Sequence, residues 1–180
     1  RKGLCIDYNN DIYVVTDFQH VKPARGAAFV RTTLKSMTTG KSLENTWPSG
    51  HKLDVVRVER RKFQFLYKDD NGLNLMDNES YEQITISEDM VDSPQFLKES
   101  MDVDILYHAE KDIPLRVELP QYINVQVTYS EPGAKGDTAT NASKPATIET
   151  GAVIKVPLFI NEGDVIKIDT LTGAYIERAK

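Results

Sequence analysis

At 180 residues, 40% of them hydrophobic, and with a net charge of −5, the chain has room for one large domain or several small ones of about 60 residues, near the lower limit for domains that fold alone. No apolar run approaches the roughly 18 residues of a membrane span and no secretory leader pattern is visible, while the absence of Met before Arg1 leads us to expect further residues upstream. A single cysteine excludes an internal disulfide and a cysteine-based zinc cluster and points to a reducing cytosol; in the run Leu4-Cys5-Ile6 it reads as core.

Charge divides the chain more sharply than the total suggests. Residues 1–62 carry a balance of +6, residues 63–121 one of −10, and residues 122–180 one of −1. A basic head on a strongly acidic middle can hold a polyanion at one end only, because the remainder repels it.

The first segment, residues 1–56, offers strands over 4–8, 11–18, 29–34, 41–46 and 53–58, separated by Asn9-Asn10, Thr39-Gly40 and Trp47-Pro48-Ser49-Gly50. Five short strands with such turns suggest a small SH3-like barrel. His51, beside a turn, reads as a surface residue without a partner. Between the second and third strands lies His20-Val21-Lys22-Pro23-Ala24-Arg25-Gly26-Ala27-Ala28, which reads as the extended tip of a hairpin. Pro23 fixes φ near −65° and Gly26 can take the positive φ of a tight reversal. Lys22, Arg25, Arg31 and Lys35 give this arm four cations with no carboxylate between them, a pattern that suits phosphate. Judged on the loop alone, an ordinary solvated hairpin is the favoured reading.

The second segment, residues 57–120, opens on Arg57-Val58-Glu59-Arg60-Arg61-Lys62, the solvated start of a strand and a weaker candidate for phosphate contact. Strands follow over 63–67 and 73–76, joined by Asp69-Asp70-Asn71-Gly72, a strong hairpin signal, and then over 81–86, 103–108 and 113–119. Ser87 can cap a short helix, and Pro94 can start a helical turn through Phe96, Leu97 and Met101. Phe63, Phe65 and Tyr67 recur at period two; in so acidic a segment they read as core rather than as a base-stacking platform.

The third segment, residues 121–180, begins with a period-two strand over 123–129 and continues through a long polar loop over 131–144, of a length that is usually functional or disordered. Strands over 153–156, 165–169 and 174–178 follow. The second and third segments both read as five-stranded barrels of OB type, so the fold class is mainly β, in three small barrels.

Groups that could carry catalysis are scarce. His20, His51 and His108 lie in separate turns or strand ends without metal-ligand spacing, and there is no phosphate-binding glycine loop, dinucleotide fingerprint or nucleophile elbow. No enzyme activity, cofactor or metal is expected.

The most specific string lies in the third segment: Lys144-Pro145-Ala146, Gly151, Ile154, Val156-Pro157, Ile160 and Gly163, preceded by Gly136-Asp137-Thr138. With Val21-Lys22-Pro23 and Gly26 in the arm, the whole chain resembles the bacterial elongation factor P family. That resemblance implies an SH3-like (KOW-like) domain and two OB domains in an L like transfer RNA in size and shape. It further implies a cytoplasmic, monomeric translation factor that enters the ribosome between the P and E sites, touches both subunits and relieves stalling at consecutive prolines. By the same resemblance Lys22, Pro23, Ala24, Arg25, Gly26 and Arg31 would meet the CCA end of the P-site peptidyl-tRNA. Gly136, Asp137 and Thr138 would face the E-site codon of the messenger on the small subunit, and Tyr175 and Arg178 would lie near transfer RNA. The common tip pattern in the family is Pro-Gly-Lys-Gly, whereas this chain has Pro23-Ala24-Arg25-Gly26. Lysine-specific modification is therefore excluded, and the tip either receives a rhamnose from an arginine-modifying enzyme or works unmodified. A paralogue of the factor and a ribosome-independent single-stranded RNA binder are the alternative readings.

Overall fold

The structure is a computed structural model, described here for residues 1–133 and 142–180. Fifteen strands among the described residues form three five-stranded sheets. The first contains β1 (Cys5–Tyr8), β2 (Asp11–Val21), β3 (Phe29–Ser36), β4 (Ser42–Pro48) and β5 (Asp54–Val55), in the order β4-β3-β2-β1-β5. The second contains β6 (Val58–Asp69), β7 (Gly72–Asp77), β8 (Gln83–Ile86), β9 (Asp102–His108) and β10 (Ile113–Glu118), in the order β10-β9-β6-β7-β8. The third contains β11 (Tyr122–Ser130), β12 (Ser143–Ile148), β13 (Val153–Pro157), β14 (Val165–Asp169) and β15 (Tyr175–Arg178), in the order β13-β12-β11-β14-β15. The expected mainly β class holds, and no helix among the described residues is long and apolar enough to cross a membrane.

By compactness the chain divides into residues 1–61 with 105–117 and residues 62–104 with 118–180. In the first unit the strand alternation of β2 sends Tyr13 and Val15 to one side, where they bury with Ile6 and Leu34 under Trp47, Tyr8 and Leu43. Ile12 and Val14 go to the other side and pack with Cys5 against Met37, Leu106 and Leu115. Both faces of the first sheet are thus covered. Arg116 is buried beside this second cluster and donates through Nη1 to the Met37 carbonyl at 3.1 Å.

In the second unit Ile123, Val125 and Val127 of β11 alternate into a core completed by Ile148, Ile154, Val156, Ile160, Ile166 and Ile168. Phe96, at the end of a 3₁₀ turn over Pro94–Phe96, joins the same core. That turn stops before Leu97 and does not reach Met101, shorter than expected. The Ser87 cap is present, its side chain accepting from the Asp89 amide at the start of a second 3₁₀ turn, Glu88–Met90. The Asp70-Asn71 hairpin forms with Gly72 at φ +129°, where a Cβ would collide with the Ile86 carbonyl oxygen, so only glycine fits.

Three local expectations need correction. Residues 143–148 form β12 rather than the end of a loop; Pro145 argues against a strand by pattern, yet it sits one position beyond Ala146, the last residue paired with β11, where no amide donor is required. Tyr81 lies at φ +60° in a turn, so β8 starts only at Gln83. Phe63 and Phe65 are core as expected, but a bulge between Phe65 and Tyr67 shifts the register and leaves Tyr67 47% exposed.

Candidate nucleic-acid interface

β2 and β3 are longer than the apolar runs alone suggest. They stay paired through Asp17↔Thr33, Gln19↔Arg31 and His20↔Val30 to Val21↔Phe29, which confines the tip to residues 22–28. A bulge between Val15 and Asp17 increases the local twist, and Thr16 there donates from Oγ1 to the Thr33 carbonyl at 3.1 Å. Lys22, Pro23, Ala24, Arg25, Gly26 and Ala27 are all exposed. Gly26 takes φ +104°, the left-handed conformation that reverses the chain directly after Arg25.

The root of this arm is held by groups that its sequence does not advertise. Trp47 of β4 donates from Nε1 to Thr32 Oγ1 at 2.9 Å, and that buried hydroxyl donates onward to the Asn45 carbonyl at 3.0 Å. Ser49 donates its amide to the Ala28 carbonyl at 3.0 Å and sets its hydroxyl 3.4 Å from His20 Nε2. His51 has a partner after all: it stacks on Trp47 with ring centroids 5.1 Å apart. The period-two pattern gives no hint of this, because the contact depends on how Pro48–Gly50 turns the chain back.

The four arm cations, Lys22, Arg25, Arg31 and Lys35, are exposed and have no ion-pair partner among the described residues. Asp17 lies across from Thr33, between Arg31 and Lys35 along β3, but is engaged with Lys2 at 3.0 Å. The hydrogen bond and charge of Lys2, helped by the Phe18 amide, hold its carboxyl below the ordinary range. The basic run at 57–62 behaves differently. Arg57 and Arg61 both meet Glu59, at 2.9 and 3.1 Å, and Arg61 also reaches Asp112 at 2.7 Å while lying over the Tyr107 ring. The hydrogen bond to Asp112 above all pushes the Arg61 guanidinium further above its usual value; burial opposes it, and Glu59 adds to the rise. Lys62 lies 3.7 Å from Asp104.

In the third sheet Tyr175 and Arg178 stand at the two ends of β15. Tyr175 is half-buried against the core, and Arg178 is exposed but anchored: it donates to the Phe159 carbonyl at 3.0 Å, approaches Asp164 at 3.3 Å and lies 5.2 Å from the Phe159 ring centroid. Gly136, Asp137 and Thr138 lie outside the described residues. Cys5 is half-buried with Sγ 4.0 Å from Met37 Sδ, and burial pushes its thiol pKa up, as suits a packing residue. No three His, Cys, Asp or Glu side chains among the described residues cluster as a cation site. What this arrangement offers is unpaired positive charge on an exposed, well-anchored loop, suited to a phosphodiester backbone.

Comparison with known proteins finds three family models matched along the chain. The family "Elongation factor P (EF-P) KOW-like domain" matches residues 1–53, "Elongation factor P (EF-P) OB domain" residues 58–115, and "Elongation factor P, C-terminal" residues 123–178. Elongation factor P of Flavobacterium johnsoniae is 54% identical over 180 residues, covering 100% of this chain and 96% of its own. That of Christiangramia forsetii is 56% identical with the same coverage, and that of Amoebophilus asiaticus 53% identical over 100% of this chain and 95% of its own. Among solved structures, the eukaryotic translation initiation factor 5A from Methanococcus jannaschii superposes with a TM-score of 0.52 at 20% identity, over 65% of this chain and 87% of that one, a likeness of fold.

Proposed function

Because the chain belongs to the elongation factor P family, and so to the translation elongation factors, we propose that it binds the ribosome between the P and E sites and stimulates peptide-bond formation at consecutive prolines. Residues 1–56, 57–120 and 121–180 are its three domains in this reading, and it acts as a monomer in the cytoplasm. The observation that carries the proposal is the tip itself: Arg25 is exposed on an anchored hairpin, flanked by cations free of carboxylates among the described residues.

The chemistry follows from positioning. Proline is a poor nucleophile and a rigid donor, so its transfer suffers most when the P-site substrate wanders. A guanidinium offers a planar fork of donors that matches phosphate oxygens, and Arg25 can thereby hold the CCA end of peptidyl-tRNA in a reactive geometry. Correct placement of reactants alone supplies several kcal/mol of a barrier, about 7–11 in well-oriented model reactions, so the factor needs no acid or base of its own. Lys22 and Arg31 add phosphate contacts, and Pro23, Ala24 and Gly26 shape the turn. Tyr175 and Arg178 contact transfer RNA, and Gly136, Asp137 and Thr138 the E-site codon. Arg25 either carries a deoxyhexose, which makes an arginine-modifying enzyme a further partner, or acts bare; the intact mass of protein from its native host separates the two.

The test is Arg25→Ala in a purified translation system reading a polyproline message. Loss of stimulation with an unchanged unfolding midpoint is expected, and full stimulation by the variant would sink the proposal.

A further inference from the structure

The third sheet borders an open groove of about 1020 Å³, of whose lining the contacts proposed so far use only Tyr175. Its walls include Phe96, Ser143, Lys155, Phe159, Gly173 and Tyr175. Ser143 and Lys155 lie on the second and third strands of the domain and Gly173 in the loop between its fourth and fifth, the face through which OB barrels take oligonucleotides. Phe96 comes from the 3₁₀ turn before β9, Phe159 from the turn after β13 and Tyr175 from the start of β15.

Phe159 is the conspicuous side chain in this groove. Ile160, next in sequence, is fully buried and fixes the turn after β13, while Phe159 is left 59% exposed. An apolar ring so exposed gains nothing from the core, yet it is held in place. Arg178 lies 5.2 Å from its centroid and donates to its carbonyl, and Asp164 binds that guanidinium at 3.3 Å while accepting the Asn161 amide at 2.8 Å. Since Asp164 partly neutralises Arg178, the pair is a poor phosphate clamp. A planar ring braced by a planar guanidinium is instead a stacking surface. Exposed Lys155, without an ion pair among the described residues, provides a cation for the backbone that follows a stacked base.

We propose that this groove holds an unpaired RNA nucleotide and that Phe159 is the side chain on which its base stacks, with Arg178 as the residue that positions the ring. The inference rests on the reading of the chain as a ribosome-bound factor and assigns Phe159, Lys155 and the groove to RNA contact. Stacking is tolerant of base identity, so binding here contributes affinity without sequence choice.

The experiment titrates the full-length factor against a polyproline message in the purified system and separates half-saturating concentration from maximal rate, for Phe159→Ala, →Leu and →Tyr. Loss of one stacked base predicts an increase of about tenfold in half-saturating concentration for Phe159→Ala, with maximal rate and thermal midpoint unchanged. Phe159→Leu keeps apolar bulk without a π face and should match Ala, whereas Phe159→Tyr should match the parent. Leu behaving as the parent, or Ala doing so while Arg25→Ala is impaired, overturns the stacking role. A fall in thermal midpoint that Leu restores together with activity also overturns it, in favour of simple packing. If Arg25→Ala and Phe159→Ala both stimulate normally, the ribosomal reading itself has failed.

Discussion

The arm and the run 57–62 each hold four basic residues close together, though only the run has a carboxylate, Glu59, among them, and the structure gives them opposite surroundings. Around Arg61 every charge has been answered: Glu59 and Asp112 bind it and Tyr107 lies beneath it. Among the described residues no carboxylate pairs with Arg25: the tip residues are exposed, Asp17 is committed to Lys2, and Glu44, which faces Thr33 from β4, forms no ion pair with the arm. Density of Lys and Arg therefore says little about binding. What distinguishes a phosphate-seeking surface from a structural one is whether the fold brings carboxylates to it.

The sharpest way to break this comparison is to remove one guanidinium from each region and read both activity and stability. Arg25→Ala should lower polyproline stimulation on the order of 100-fold, the scale of a misplaced reactant, and leave the urea midpoint where it was. Arg61→Ala should do the reverse, lowering stability by about 1 to 2 kcal/mol as Asp112 and Glu59 lose their partner at a half-exposed site, with stimulation unchanged. If Arg61→Ala costs stimulation without stability, the run at 57–62 is a second phosphate contact and the distinction collapses.

How far the sequence could have separated the two regions depends on the range of the interactions. Strand existence was legible, since alternation along residues 11–18, 123–129 and 165–169 survives as β2, β11 and β14. The arm tip was legible too, because Pro23 and Gly26 are local turn chemistry. Asp112 was not foreseeable as the partner of Arg61, being 51 residues away and brought near only by the β9–β10 turn. The clamp on Arg178 was hidden for the same reason: Phe159 and Asp164 lie on the turn before β14, and nothing in their spacing announces it. β12 begins inside the polar run 131–144 that reads as a loop, and its pairing with β11 and β13 is long-range information that this run does not contain.

A smaller effect sharpens the comparison from the side of the arm's root. Trp47→Phe keeps most of the apolar surface against Tyr8 and the stacked His51 but removes the donor to Thr32 Oγ1. Thr32 still donates to the Asn45 carbonyl, so the loss is one hydrogen bond, about 1 kcal/mol. Denaturant unfolding should show that decrement. Stimulation should fall only modestly, since the tip keeps its charges and loses some rigidity. A variant with full stability and sharply reduced stimulation would mean that Trp47 meets RNA itself.

The smallest effect concerns why Asp17 does not neutralise the arm. Its carboxyl is held below the ordinary range, chiefly by Lys2, so the pair's contribution to stability is present above the unfolded carboxylate pKa and is lost as pH falls through the lower, folded value. At so exposed a site that contribution is small and salt weakens it. Lys2→Met should therefore move the Asp17 titration, followed by NMR of its side-chain carboxyl, upward toward the ordinary range, with the Phe18 amide retaining part of the depression. The functional consequence runs the other way from a loss of positive charge alone. Asp17 is cross-strand from Thr33, and Arg31 and Lys35 are its diagonal neighbours on the same face, within reach of long side chains. Freed from Lys2, Asp17 can turn to either of them and make the arm resemble the run at 57–62. Stimulation by Lys2→Met should then drop slightly at low salt, and Lys2→Met with Asp17→Asn should restore it; a single variant as active as the parent at every salt concentration would show that the arm's cations do not depend on Lys2 keeping Asp17 occupied.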